Sequence, residues 1–305
     1  LSFGPLTSEE GGPLQRISYT PMAERAFAVA ARRLSAEVWL GFSNTFEQDS
    51  TDVYELFIDL ERLLSTTIVR YGIAEGLELG GRLTFETTGG GVLDPFILRW
   101  HNLFGLGNAN RERYPANQYE QRLRGANNVE LLDIGPRTLA LTDVRLFAKW
   151  EAVASSDRGS VLGLRAVTRI PTGSGFAGAR SDFAFVALGQ LSFETWYLHG
   201  MIGASTVRAS PELEAMTRRA AGHVMLGIER AFNQALAALV QFSVATPVLK
   251  GFNHRELDRA PTNLVFGLAG RWGDEWRWDV SFQEDVPSDT PASDFTLGLK
   301  LARSW

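Results

Sequence analysis

The chain contains no cysteine. That excludes a disulfide framework, a thiolate metal site and a cysteine nucleophile, and it suits passage through an oxidising periplasm. No uninterrupted apolar run approaches the ~20 residues a membrane helix needs, which excludes a helical membrane protein. Basic clusters are absent as well. With a net charge of -5 and a pI near 5.5, nucleic acid is not expected as a partner. The four histidines lack ligand spacing, so neither a metal nor another cofactor is expected. No charged stretch followed by an apolar core opens the chain, so an exported form is expected to be numbered from after its signal.

What the chain has is alternation. Hydrophobic residues make up 45% and mean hydropathy is -0.07, a bland average that fits strands hiding a lipid-facing half behind polar neighbours. The last eleven residues, Phe295-Thr-Leu297-Gly-Leu299-Lys-Leu301-Ala-Arg303-Ser-Trp305, place an apolar residue at nearly every second position and finish on an aromatic one. A lipid-facing closing strand of an outer-membrane barrel reads this way.

The pattern recurs along the chain. Ala36, Val38, Leu40 and Phe42 alternate with Ser35, Glu37 and Ser43. Tyr54, Leu56, Ile58 and Leu60 alternate with Glu55, Asp59 and Glu61, and Leu77, Leu79, Leu83 and Phe85 with Glu78, Arg82 and Glu86. After a long gap, Val144 to Trp150 alternate with Arg145 and Lys149, and Leu162 to Ile170 with Arg165 and Arg169. A segment at 182–192 has an ambiguous facing. Further strands carry His199, then His223, then Leu236 to Phe242, then Leu264 to Trp272 with Arg271, then Trp276 to Phe282. With the terminal segment the count is twelve. The expected fold is all-β: a closed antiparallel transmembrane β-barrel of about twelve strands over residues 34–305. Residues 1–33 do not alternate and form a separate N-terminal segment, either a plug of the lumen or a periplasmic extension.

The connections alternate in length. Those at 73–76, 155–159, 193–195, 231–233 and 273–275 are short; those at 88–136, 172–181, 206–218, 246–261 and 285–293 are long, and the first, near 47–52, is modest. Short periplasmic turns and long external loops are expected of such a barrel, whereas a soluble sandwich has no reason to sort its loops by parity. Trp150, Trp196, Trp272, Trp276 and Trp305 fall near the short turns or the C-terminus, where an interfacial girdle would lie; anchoring a soluble core is the competing reading. In the longest loop, Asp94-Pro95 opens an amphipathic helix that Gly105 ends, with Asp94 as its cap, to fold over the barrel mouth or into the lumen. Ser210-Pro211 opens a second helix, and 118–133 reads as a small hairpin.

With these facings, Glu55, Asp59, Glu61, Glu78 and Arg82 line one side of the lumen. Arg145, Lys149, Arg165, Arg169 and Arg271 line the other, setting a transverse field that biases which solutes pass. Pairing of these charges across a narrow interior, or onto a plug, is the alternative. His199 and His223 could face the lumen, but no serine motif accompanies them and no catalytic residue is assigned. Gly173-Ser-Gly175-Phe-Ala-Gly178 matches a dinucleotide fingerprint by letter, yet without the strand and helix that chemistry needs it reads as a loop. Arg111, Arg113, Arg122 and Arg124 lie in the longest loop, where they meet solvent or lipopolysaccharide phosphates.

Gly4-Pro5-Leu6, Asn44-Thr45-Phe46, Arg70-Tyr71-Gly72-Ile73 with Leu77-Glu78-Leu79-Gly80, and Leu93-Asp94 through Leu103-Phe104-Gly105-Leu106 resemble the family DUF3187 of outer-membrane β-barrels of unassigned function. The resemblance implies fold and location and carries over no site residue. The expected function is passive passage of small polar or charged solutes of unknown identity across the bacterial outer membrane, without enzymatic activity. A closed structural or assembly barrel, and after it a lipid-modifying enzyme, are the alternatives. Outer-membrane lipid and lipopolysaccharide are the expected surroundings, with a second copy or an envelope protein left open as partner.

Overall fold

The computed structural model describes the chain except residues 1, 10, 11, 53, 106, 109, 126–128, 156–158, 173–180, 210, 253–254 and 287–291. The glycine-rich stretch beginning at Gly173 therefore lies outside the described residues. Twelve strands form the barrel: β1 (Leu34–Ser50), β2 (Glu55–Ala74), β3 (Leu77–Gly89), β6 (Arg137–Ala154), β7 (Val161–Pro171), β8 (Asp182–Phe193), β9 (Trp196–Thr206), β10 (Ala220–Ala231), β11 (Leu236–Ala245), β12 (Thr262–Trp272), β13 (Trp276–Asp285) and β14 (Phe295–Ser304). Each pairs antiparallel with its neighbours, and β1 closes the circle by pairing with both β14 and β2. In the longest loop, β4 (Glu120–Gly125) and β5 (Val129–Asp133) form a hairpin that adds to β2, with Ile58 opposite Gln121. Helices α1 (Asp94–Phe104), α2 (Pro211–Glu214) and α3 (Arg255–Asp258) lie in the loops. At the turn end, Gly76 and Gly273 take φ of 71° and 63°, which admits tight reversals at no Cβ cost.

The outer wall is an apolar belt. Val38 and Leu40 on β1, Leu79 and Leu83 on β3, Leu226 and Ile228 on β10, and Leu297, Leu299 and Leu301 on β14 all point outward and are exposed, as are their counterparts on the other strands. A closed ring of exposed aliphatic side chains is stable only in contact with hydrocarbon, and the barrel has no sheet edge to leave unsatisfied there. Trp150, Trp196, Trp272 and Trp305 are exposed in the turn-end rim of the belt, while Trp276 is only partly so.

The polarity of β2 inverts along its length. From Leu63 to Ile73 its odd residues point outward, with Leu63, Val69, Tyr71 and Ile73 exposed, and Arg62, Thr66 and Arg70 point inward. Above Leu63 the register with β1 is unbroken, so Leu56, Ile58 and Leu60 point inward and Glu55, Asp59 and Glu61 outward. There the strand extends beyond the apolar belt: β1 and β2 run 17 and 20 residues, against 10–13 for the other barrel strands except β6. Leu56, Ile58 and Leu60 join Leu14, Ile17, Leu123, Val248 and Leu257 in an apolar cluster that closes the loop end.

Helix α1 lies against the outside of the wall, neither over the mouth nor in the lumen. Its Phe96 meets Phe295 at 5.5 Å and its Trp100 meets Phe282 at 4.9 Å, both rings on the outward faces of β14 and β13. His101 pairs with Glu284 at 3.1 Å and bonds to the Gly107 carbonyl at 2.8 Å. The physical reason is the apolar stripe of α1, which buries its rings on the outward aromatic residues of β13 and β14, while the apolar surface of the lumen is already covered by the N-terminal segment. Asp94 is not the cap, which is Leu93. Its carboxylate instead bonds to Arg111 at 2.7 Å, to the Asn44 amide at 3.1 Å and to the Asn117 N–H at 2.7 Å, pinning the loop.

Residues 2–9 and 12–30 run through the lumen as two arms, with a short 3-10 turn at Pro13–Ile17 in the loop-end cluster. The Ala23 N–H donates to the Ser8 carbonyl between the arms at 3.1 Å. The first arm packs Phe3 and Leu6 on Ala237, Leu239, Val265 and Ala269. The second packs Ala23 and Ala26 on Val186, Leu188, Met201 and Met225, then reaches the turn end, where Ala31 bridges Gly72. Gly72 admits this approach because a Cβ there would come within 2.1 Å of the Ala30 carbonyl oxygen.

Candidate functional site

Inward-facing strand positions bring Glu78, Arg82, Arg145, Lys149, Arg165, Arg169, His199 and His223 to the lumen, all buried. Register sorts them. Arg82 stands opposite Arg145, and Arg145 opposite Arg169, across β3, β6 and β7; nearer the turn end Glu78 stands opposite Lys149, and Lys149 opposite Arg165. Three arginines side by side repel unless oxygens come between them. Asp143 bonds to Arg145 at 3.1 Å, and Asp182 pairs with Arg169.

The N-terminal segment supplies the rest. Glu9 pairs with Arg82 and, at 3.2 Å, with Arg145. Arg145 also donates to the Thr20 carbonyl at 3.1 Å and stacks over the Tyr19 ring at 5.0 Å. Arg169 donates to the carbonyls of Arg16 and Ile17 at 3.2 and 2.8 Å. In the lower tier, Glu24 takes Arg165 at 2.9 Å and Arg70 at 3.5 Å, and Arg165 lies over Phe147 at 3.9 Å. Glu78 is shared by Lys149 at 3.1 Å, Arg70 at 3.8 Å and the Val29 N–H at 2.6 Å. Arg16 pairs with Glu86.

Other residues singled out by sequence lie elsewhere. Glu55 is exposed and pairs with Arg122 at 3.3 Å and Arg124 at 3.6 Å outside the barrel. Asp59 and Glu61 have outward positions covered by the long loop; Glu61 accepts from the Val92 N–H at 2.6 Å and from the Leu93 N–H. These three are not lumen residues, because the apolar residues between them are drawn into the loop-end cluster. Arg271 sits at the turn-end rim, donating to the Gln234 carbonyl at 2.7 Å and to Asp274 at 3.1 Å. The expected acidic wall facing a basic wall does not form from these residues: among the described residues, Glu78 stands beside Lys149, and the lumen bases pair locally within each tier. Arg111 is buried between Asp94 and Asp294, so it is not presented to phosphates.

His199 and His223 do not form one site. His199 bonds to Glu229 at 2.9 Å, and Glu229 also accepts from the Ser2 hydroxyl and the N–H groups of Phe3 and Gly4 at 2.8, 2.8 and 2.9 Å. Glu229 thus anchors the start of the first arm. Gln241 receives and returns a hydrogen bond with Leu6, and Asp279 accepts from the Thr7 hydroxyl at 3.2 Å while pairing with Lys300. Between the arms and the walls of β1, β2 and β13, a cavity of about 230 Å³ remains at the turn end.

A polar lumen filled by the chain's own N-terminus decides which part of the sequence the barrel is built around, and the family match spans all of it. The chain belongs to DUF3187. The family's sequence model, described as a protein of unknown function, matches residues 1–305. No curated protein matches the chain. Among solved structures it is similar to the NanC porin at 7% identity and a TM-score of 0.49, covering 88% of this chain and 98% of that one. It is similar to the KdgM porin at 8% identity and 0.43, covering 89% and 99%, and to the Pseudomonas putida toluene transporter TodX at 10% identity and 0.42, covering 97% and 98%. Likeness at this level says nothing about what a DUF3187 barrel carries.

The residues that sequence reading passed over are the partners rather than the wall: Glu9, Arg16 and Glu24 in a segment without alternation, and Glu229 and Asp279 among many strand acids. A signal for them existed. Val186, Leu188, Met201, Met225, Leu239 and Val265 are apolar at inward positions, where a water-filled lumen would carry polar residues.

Proposed function

We propose that this protein is an outer-membrane channel for small polar or charged solutes, closed in this conformation by residues 2–9 and 12–30 of its own N-terminal segment. An even strand count, tight turns at one end and long loops at the other support the outer membrane, with turns periplasmic and loops external. The observation that carries the channel reading is the way the segment is held. Beside the apolar contacts of Phe3, Leu6, Ala23 and Ala26, its two arms meet the wall through Glu9, Arg16, Glu24 and backbone groups, and charged wall groups left behind by a departing segment can be rehydrated. The turn-end cavity supplies a periplasmic starting point for that departure.

A closed structural barrel is the second reading, favoured by the apolar cluster over the loop end. Planar-bilayer recording separates the two. Because the chain has no cysteine, Thr7→Cys with Asp279→Cys introduces one defined disulfide, at side chains that lie 3.2 Å apart in the native protein. A channel opens intermittently in the wild type, is silent when the pair is oxidised and recovers on reduction. Silence of the wild type and of the reduced variant would establish the structural barrel, and conductance through the oxidised pair would show that solutes do not pass by release of the first arm.

A further inference from the structure

The row Arg82, Arg145 and Arg169 carries three positive charges, and the wall answers them with two carboxylates, Asp143 and Asp182. The next inward carboxylate of β3, Glu86, is taken by Arg16 of the N-terminal segment, so one charge of the row is left over, and the carboxylate that balances it also belongs to the segment: Glu9, bridging Arg82 and Arg145. All three arginines are 2% exposed with the segment in place, so removing the Glu9 carboxylate while the segment stays leaves the row with a buried, uncompensated cation. The site fits a carboxylate because its two oxygens are received by two different guanidinium groups, Oε2 of Glu9 by Arg82 and Oε1 by Arg145, whose remaining fork is held by Asp143. Tyr19 supports Arg145 from its ring face at 5.0 Å, fixing the direction of that fork.

We propose that the Arg82–Arg145–Arg169 row is a carboxylate-binding site of the lumen, that Glu9 occupies it as a built-in ligand in the closed state, and that the solutes it admits are small carboxylate-bearing anions. This rests on the channel reading for its biological meaning, but the site itself is tested without conductance. The N-terminal segment and an incoming anion compete for the same two guanidinium groups. Binding of the solute and release of the segment are therefore linked, and a solute that lacks the anionic group gains no such leverage.

The test uses the full chain with Glu9→Ala, which removes the carboxylate and leaves space for a small one. Thermal unfolding is followed in sodium acetate and in sodium chloride at equal ionic strength. The variant melts lower than wild type in chloride and recovers at least half of that loss in acetate, saturably, while the wild type melts alike in both salts. Glu9→Gln, which fills the space with a neutral isostere, melts lower and does not recover in acetate. Equal acetate effects on wild type and Glu9→Ala, or recovery of Glu9→Gln as well, would overturn the assignment. Reversal potentials in a KCl gradient form the second arm: Glu9→Ala barrels prefer chloride over potassium, and Arg145→Gln introduced alongside reduces that preference. A barrel that conducts without anion preference sinks the inference alone. A barrel that never conducts but shows the acetate recovery sinks the channel reading and leaves an anion site.

Discussion

Ile58 separates two opposite readings of the same strand. Alternation places it with Tyr54, Leu56 and Leu60 on a lipid-facing stripe, where truncation to alanine would remove only contact with hydrocarbon and leave the loops undisturbed. In the structure Ile58 is fully buried, inside the loop-end cluster with Leu14, Ile17, Leu123 and Leu132, and its backbone faces Gln121 of the added hairpin. Ile58→Ala there removes three carbon atoms from a packed interior, which costs about 2–5 kcal/mol. The cluster is built from loops and the N-terminal turn, so the loss falls on local opening of the cap rather than on the barrel. Even the lower figure corresponds to roughly a 30-fold rise in opening, at about 1.4 kcal/mol per factor of ten. Hydrogen exchange at the Gln121 and Leu123 amides, with the protein in lipid vesicles, reads it directly. Leu226→Ala, on the exposed belt of β10, is the control that leaves these amides unchanged. Unchanged protection in Ile58→Ala, or equal loosening in Leu226→Ala, would refute the inversion of β2.

The belt itself makes a second prediction: Leu226→Arg, midway along β10, lowers the folding free energy in lipid by about 2–4 kcal/mol, measured by denaturant titration. Arg111 is buried and holds both Asp94 and Asp294, so Arg111→Ala strands two carboxylates and costs about 3–5 kcal/mol of loop stability, seen as release of Trp100 fluorescence to a more solvated maximum. The seat of α1 also depends on pH. Burial disfavours the His101 imidazolium, but its hydrogen bond to Glu284 and the charges of Asp294 and Glu284 outweigh that, and its pKa is raised. Burial likewise raises the pKa of Asp294, against the pull of Arg111. A raised pKa means the folded loop holds the proton more tightly, so the contribution from His101 is fully present below about pH 6.5 and is lost as pH rises through its folded value. Trp100 emission accordingly shifts as pH is raised from 6 upward, and His101→Gln flattens the response.

How far the sequence could be read depends on which solvent each residue meets. Inside the membrane the rule is single: Val38, Leu40, Leu226 and Leu299 must face hydrocarbon, so period-two alternation fixes strand number, facing and the order of short and long connections. Outside it the rule reverses without any change in the alternation. Nothing local marks Leu63 as the last lipid-facing residue of β2, so alternation alone puts Glu55, Asp59 and Glu61 on the wrong side. The helix at Asp94–Phe104 was legible as an amphipathic element, but its partner was not, because Phe282 and Phe295 look like any other outward aromatic residues until the chain is closed. The charged wall was legible residue by residue, and its meaning was not. Arg82, Arg145 and Arg169 become one feature only through strand register, and they become a site only because Glu9, in a segment with no periodicity of its own, is brought between them. The apolar inward residues of β8 to β12 link these observations: they make the facing of 182–192 ambiguous in sequence, and they do so because that part of the lumen meets protein where water would otherwise be.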